Sequence, residues 1–330
     1  MPANLTPQYH KAEEAYRRAS SPDDELAALQ EMLREVPKHK GTDKLQAELK
    51  QKISRVKEEV AAGGKSSGKR VGYRLPHQGA GRVLLVGPPN VGKSQLLKSL
   101  TRAEPAVAEY PFTTVEPLPG MMPFEDIQIQ LVDTPPVTSD VFDAVTQGLM
   151  RGADVVLAVA DLGSDDGPVE FQEFLNKLAT TKTRLGRSSE LDENDLGVSY
   201  TQSLVVLNKT DDPLAEERWE LFQEFCPLDL DTCRISALDG TGLDALKKEI
   251  FQRLDVVRVY TKHPKSKEPD FDKPFTVRRG GTLLDVAELI HKDLAKNLKN
   301  ARVWGSQVHD GTIVKGDYVV SDRDIVEIQQ

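Results

Sequence analysis

The segment Gly87-Pro88-Pro89-Asn90-Val91-Gly92-Lys93-Ser94 holds two glycines separated by four residues, followed at once by a lysine and a hydroxyl. That spacing suits a phosphate cradle. Glycines let backbone N–H groups turn inward at a helix N-terminus, the lysine brings a positive charge, and the hydroxyl offers an oxygen to a metal ion. Pro89, Asn90, Val91, Gly92, Lys93, Ser94 and Gln95 are the expected phosphate-binding residues, with Lys93 directed at β- and γ-phosphates and Ser94 at Mg2+. The base must be read elsewhere, and Asn208-Lys209-Thr210-Asp211, at the end of an apolar run, supplies a reader. A carboxylate at Asp211 accepts from the guanine N1–H and 2-amino donors, a pair that adenine lacks. Asn208 and Lys209 are expected to brace this pocket, and Ser236-Ala237-Leu238 to offer backbone N–H to the guanine O6. GTP and GDP are therefore the expected ligands.

Two segments lie between these. Tyr110-Pro111-Phe112-Thr113-Thr114 offers hydroxyls to the γ-phosphate and the metal, and Asp133-Thr134-Pro135-Pro136 ends an apolar strand on a carboxylate. Taken singly, each also reads as a turn. Their order behind the phosphate loop favours the chemical reading, in which Lys93, Asp133 and a hydroxyl of Thr113 or Thr114 are catalytic, and Ser94, Asp133 and that hydroxyl hold Mg2+.

These residues need elements to position them. Val83-Leu84-Leu85-Val86, Ile127 to Val132, Val155 to Val159 and Leu204 to Leu207 read as strands, several continuously apolar as buried parallel strands require. Helix-like stretches alternate with them at Gln95 to Thr101, Ser139 to Arg151 and Val169 to Ala179, which predicts an α/β fold, a doubly wound sheet. The polar stretch 180–201 is expected to be an exposed insertion or long loop. Upstream, Thr6-Pro7 and Ser21-Pro22 each pair a capping hydroxyl with a first-turn proline and so open helices. Leu26, Leu29, Leu33 and Val36 line one face, and Leu45, Leu49, Ile53, Val56 and Val60 line another. That pattern predicts a helical hairpin over 1–62 with a turn at Pro37 to Gly41. Gly/Ser/Lys-rich 63–79 is a linker, 80–260 the nucleotide domain, 261–270 a second linker, and 271–330 a small α+β module.

Composition narrows the class. Among 330 residues, 52 acids outweigh 43 lysines and arginines for a net charge of −9, which argues against wholesale nucleic-acid binding. The charge is unevenly spread, since residues 38–74 hold eleven basic side chains against four acidic ones. Such an arm suits RNA phosphates, or equally a solvated helix face. No apolar run is long enough for a membrane span and the N-terminus has no secretory pattern, so no membrane partner is expected and the cytoplasm is the expected address. Cys226 and Cys233 are too few for a disulfide framework.

Together these motifs resemble an Obg-type P-loop GTPase of the developmentally regulated GTP-binding protein (DRG) family. Ala106 to Gly120, centred on Tyr-Pro-Phe-Thr-Thr, is similar to the Obg-type switch I, which implies that Thr114 is the Mg2+-binding threonine. Ala301-Arg302-Val303-Trp304-Gly305-Ser306 and Asp322-Arg323-Asp324-Ile325-Val326-Glu327-Ile328 resemble the family's TGS domain, a ubiquitin-like β-grasp fold. Association with ribosomes is implied by the same resemblance, and Asn90 resembles the P-loop asparagine of K+-activated GTPases. The chain also departs from the family. Its D-x-x-G is Asp133-Thr134-Pro135-Pro136, and proline has no N–H for a γ-phosphate. The large insertion before the base-reading motif is reduced to about 182–201, and Val137 stands where Ras-like proteins carry a water-orienting glutamine, a substitution that the Obg-type resemblance shares. Two readings result, a slow, partner-activated, Mg2+-dependent GTPase and a nucleotide-binding scaffold with little turnover. Asp211 disfavours a third, an ATPase.

Overall fold

The computed structural model describes residues 5–19, 22–62, 75–101, 117–138, 140–192, 195–226, 229–264, 266 and 268–329. Ser21, most of the first linker and the whole Tyr110 to Thr114 segment lie outside the described residues. At the N-terminus, α1 (Pro7–Arg18), α2 (Pro22–Glu35) and α3 (Asp43–Ala62) pack together, with a single 3-10 turn at Lys40–Thr42 between the last two. Thr6 caps α1 by accepting the Tyr9 N–H at 3.1 Å. Leu29 and Met32 of α2, and Val36 just past its end, meet Leu49, Ile53 and Val56 of α3, and Tyr9 and Ala12 of α1 close the core. The unit is thus the predicted hairpin with a third helix laid against it.

The central sheet is built from β1 (Arg82–Val86), β2 (Leu118–Phe124), β3 (Ile127–Asp133), β4 (Val155–Asp161), β5 (Thr183–Gly186) and β7 (Ser199–Asn208) in the order β2-β3-β1-β4-β7-β5. Short strands β6 (Glu190–Leu191) and β8 (Thr232–Arg234) join at β7. Among the described residues of this sheet, β2 and β6 alone run antiparallel to their neighbours. Alternation in β1 sends Val83 and Leu85 to one face, and Leu84 and Val86 to the other. α4 (Lys93–Leu100) and α8 (Leu243–Leu254) cover the first face; α5 (Ala144–Gly152), α6 (Gly167–Ala179) and α7 (Ala215–Phe225) cover the second. The sheet is doubly wound, as its strand pattern predicts, so the strand ends form a crevice where loops from both layers meet.

The stretch 180–201 is a small structured insertion rather than a long loop. It forms β5, β6 and the start of β7, and Leu191 and Leu196 insert into the N-terminal helical core. Its polar composition misleads because another unit satisfies it: Arg17 of α1 donates to Ser199 Oγ at 3.0 Å and to Thr201 Oγ1 at 3.4 Å.

A second boundary also moves. α8 ends at Leu254, Asp255 adopts a left-handed φ of 47°, and the chain enters β9 (Val256–Thr261) with no spacer. β9 belongs to the C-terminal sheet, whose order is β10-β9-β13-β11-β12 with β10 (Asp270–Arg278), β11 (Asn300–Gly305), β12 (Val308–Val314) and β13 (Asp324–Gln329). The expected linker 261–270 is therefore mostly the β9–β10 connection inside that domain, and the domain starts before residue 271. α9 (Leu283–Ile290) packs Leu283 and Val286 onto the sheet, and α10 (Lys292–Asn297) comes next, giving a β-grasp arrangement.

Two charged hubs join the units. Arg258 of β9, 4% exposed, donates to Asp322 at 2.7 Å, to Asp126 at 3.0 Å and to Glu125, so it fastens the C-terminal domain to the β2–β3 turn. Asp154, ahead of β4, accepts from Arg18 of α1 at 2.6 Å, Arg278 of β10 at 3.1 Å and the Arg82 N–H at 2.8 Å, with His77 at 3.0 Å. Burial opposes its charge, yet His77, Arg18 and the Arg82 N–H outweigh it and hold the carboxyl well below the usual range. Among the described residues no helix is long and apolar enough to cross a membrane.

Candidate nucleotide site

The crevice at the ends of β1, β3, β4 and β7 gathers the described members of the predicted constellation. Gly87 leaves β1 with φ 149°, and a Cβ there would stand 2.4 Å from the Val159 carbonyl. At Gly92 φ is 91°, and a Cβ would meet Asn208 Nδ2 at 2.4 Å. Both positions need glycine, the first for strand contact and the second so that the base-reading strand can touch the loop. Between them Pro89 and Asn90 form the outer rim, Asn90 with a left-handed φ of 61° and an exposed side chain, while Val91 is buried beneath. Gln95 lies exposed one residue beyond Ser94 on α4.

Lys93 is the first residue of α4 and only 6% exposed. Its ammonium donates to the Pro88 carbonyl at 2.7 Å and the Gly87 carbonyl at 3.1 Å, so the loop curls over its own lysine. Burial lowers its pKa to about 8, and the Asp133 carboxylate only partly opposes the shift. Ser94 Oγ donates to Asp133 Oδ2 at 2.5 Å. The other carboxylate oxygen, Oδ1, is buried with no hydrogen-bond partner, and burial raises the Asp133 pKa against the pull of Ser94 and Lys93. A hydroxyl and an unsatisfied carboxylate beside a phosphate cradle are the hard oxygen donors that Mg2+ takes. Among the described residues no cluster of three His, Cys, Asp or Glu side chains suits a metal, so any such ion must draw further ligands from elsewhere.

Asn208 braces the two halves. Its Nδ2 donates to the Val91 carbonyl at 2.9 Å, and its Oδ1 accepts the Ala237 N–H at 2.9 Å. Lys209 pairs with Asp161 Oδ2 at 2.5 Å, and Asp211 Oδ1 accepts from Ser236 Oγ at 2.5 Å. The N–H groups expected to face the guanine O6 are already engaged: that of Ala237 on Asn208, and that of Leu238 on Ser236 Oγ at 3.2 Å. An O6 contact requires one of these bonds to be shared. Ser99 Oγ donates to the Ala237 carbonyl at 2.7 Å, tying this loop to α4.

Past Asp133 the backbone offers little to a phosphate. Pro135 and Pro136 have no N–H, and the Val137 N–H donates to the Gly87 carbonyl at 3.1 Å. The Val137 side chain, 2% exposed, packs into the core beneath α5. Sequence reasoning missed this tether, and it also missed Asp161, which pairs in register with Asn208 across β4 and β7. Asp161 left a signal, being a carboxylate at the end of an apolar parallel strand.

Comparison with known proteins places these features. A family described as 50S ribosome-binding GTPase matches residues 82–209, and the TGS domain matches residues 257–329. A GTP-binding protein of Methanocaldococcus jannaschii is 31% identical, covering 93% of this chain and 92% of its own length. Ribosome-interacting GTPase 1 of Saccharomyces cerevisiae is 26% identical over 92% of this chain and 98% of its own length. Developmentally-regulated GTP-binding protein 1 of Xenopus laevis is 28% identical over 92% and 97%, respectively.

Proposed function

Because the chain belongs to the DRG family of GTP-binding proteins, with a P-loop GTPase domain followed by a TGS domain, we propose that it binds GTP and GDP at this site and hydrolyses GTP slowly with Mg2+, in the cytoplasm, on a ribosome or another RNA-containing partner. The observation that carries the reading is the buried Lys93 ammonium, held by the Gly87 and Pro88 carbonyls inside a loop that Asn208 ties to the base-reading strand. On nucleotide binding Lys93 trades carbonyls for phosphate oxygens, and the loop N–H groups turn toward the same charge.

Ser94 and Asp133, with Thr114 from outside the described residues, are the proposed Mg2+ ligands. The ion, when bound, supplies charge neutralisation at the β- and γ-phosphates. Asp211 reads the base, with Lys209 and Asp161 forming the charged floor beside it.

Slow turnover rests on the segment just past Asp133. Val137 cannot orient water from within the core, and no N–H at 135–137 is free to steady the γ-phosphate. A partner must supply these missing contacts, as an arginine finger does elsewhere. The ribosome is favoured by the name of the yeast relative and by the exposed lysines and arginine along α3. Steady-state phosphate release, with and without ribosomal subunits, tests the proposal. Stimulation supports it, whereas background rates in both arms leave the scaffold reading, which the same Val137 tether favours. Replacing K+ by Na+ in that assay tests Asn90 as a K+ ligand.

A further inference from the structure

Arg218 is a guanidinium on the inner side of α7, only 8% exposed, and its partners lie in the loops rather than in the core. Nε donates to Asp165 Oδ1 at 2.7 Å, and Nη1 donates to the Leu162 carbonyl at 3.0 Å and to Asp212 Oδ1 at 2.7 Å. These acceptors sit past the ends of β4 and β7, on the rim that carries the base-reading motif. Asp212 is next to Asp211, and the same Oδ1 accepts the Leu214 N–H at 2.9 Å, so it is gripped from both sides. Leu162 in turn donates its N–H to the Asn208 carbonyl at 2.9 Å. The bonds close a ring that runs from Asn208 through Leu162, Arg218 and Asp212, with Asp211 on its inner arc.

The Thr210 N–H on the Ile235 carbonyl and the Asp212 N–H on the Lys209 carbonyl, each at 3.1 Å, shape the Asp211 backbone, and Arg218 adds the grip on the Asp212 side chain that closes the turn. The Asp211 Oδ1 accepts from the buried Ser236 hydroxyl, which in turn accepts the Leu238 and Asp239 N–H groups at 3.2 Å. The helix that bears Arg218 is already fastened to the sheet by Ala215 and Phe222, so the guanidinium is not needed to hold α7 down. A carboxylate that must meet two donors on one base edge needs a fixed backbone, because a shift of about 1 Å forfeits the bidentate geometry.

We infer that Arg218 is a positioning residue for base selectivity: it fixes the loop so that the Asp211 carboxylate meets both guanine donors. The inference rests on Asp211 being the base reader. Inosine diphosphate separates the two ideas, because it keeps the N1–H but lacks the 2-amino group, so the GDP-to-IDP preference measures how well the second donor is met.

Calorimetric titration of the full chain with GDP and IDP is the experiment. For Arg218→Ala, GDP affinity is expected to fall about tenfold and IDP affinity about threefold, narrowing the preference. Arg218→Lys, which keeps the charge but not the fork, should recover part of it. Asp212→Ala cuts the same ring from a side chain that bears none of the core, and should narrow the preference even if Arg218→Ala folds poorly. Equal loss of GDP and IDP affinity in the Arg218 and Asp212 variants, or no change in either, would overturn the inference and leave Arg218 a structural clasp. Asp211→Asn is the control for the underlying reading: an unaltered GDP-to-IDP preference there removes Asp211 as reader, and with it the basis for Arg218.

Discussion

Lys93 illustrates how burial and charge set a binding residue's behaviour. In the free protein its ammonium lies among carbonyls, and burial brings its pKa down to about 8 from the ordinary 10.5. A phosphate beside it favours the charged form and raises that pKa again. Binding therefore takes up a proton when the pH is near or above 8, and takes up none well below it. Affinity for GTP is expected to be flat below about pH 7 and to fall by up to about tenfold per unit above 8. Calorimetry in buffers of different ionisation enthalpy reads the proton directly, and the linkage should vanish in Lys93→Ala. Asp211→Asn replaces one acceptor oxygen by a donor that faces donors, and should weaken GTP and GDP alike by at least about tenfold. Competition by ATP as strong as that by GTP on the wild type would contradict this assignment.

At the scale of elements, the segment after β3 behaves unlike a free switch. A ligand shifts an equilibrium only through contacts that differ between states. Here two prolines offer no N–H, and Val137 is bonded to the phosphate loop and packed in the core. Residues 133–151 are therefore expected to show similar hydrogen exchange with GDP and with a GTP analogue, the Val137 amide being protected in both. Pro136→Gly restores an N–H and should add GTP-dependent protection there. Strong protection in the wild type on GTP would mean that another group replaces the missing donor. The response to nucleotide is then expected mainly from the segment holding Thr114.

For the whole molecule, Asp154 and Arg258 tie both flanking domains to the nucleotide domain, and Arg258 does so at the β2–β3 turn. Arg258→Ala leaves Glu125, Asp126 and Asp322 without their shared cation. Because these carboxylates are partly exposed, a loss of about 1–2 kcal/mol is expected, read as a lower midpoint in thermal or denaturant unfolding. The basic arm is testable without dismantling its core, because Lys50, Arg55 and Lys57 are exposed on α3. Reversing all three to glutamate should weaken ribosome association and flatten its salt dependence, since each neutralised phosphate releases counterions. An unchanged salt slope would make the arm a solvated face. Deleting 1–70 is a poorer test, because it strips the cover from Leu191 and Leu196.

How much of this was legible depended on the range of the interactions involved. The phosphate loop could be read from the sequence because its geometry is local: glycines at Gly87 and Gly92, a lysine and a hydroxyl succeed one another along the backbone that forms the cradle. The alternating apolar strands, and with them the doubly wound sheet, were legible for the same reason, as was the three- and four-residue spacing of the α2–α3 seam. Partners far apart in the chain left no such trace. Polar 180–201 reads as a loop until Arg17 arrives from α1 to satisfy it, and Val256 to Thr261 continue an α/β pattern until β13 pairs with them. Arg218 looks ordinary in sequence, and the partners of Val137 and Asp161 are invisible there, since each acquires its role from an acceptor or cation that only chain folding brings within about 3 Å. Local spacing determined which chemistry the chain offers, and tertiary contacts decided which of those groups are free to carry it out.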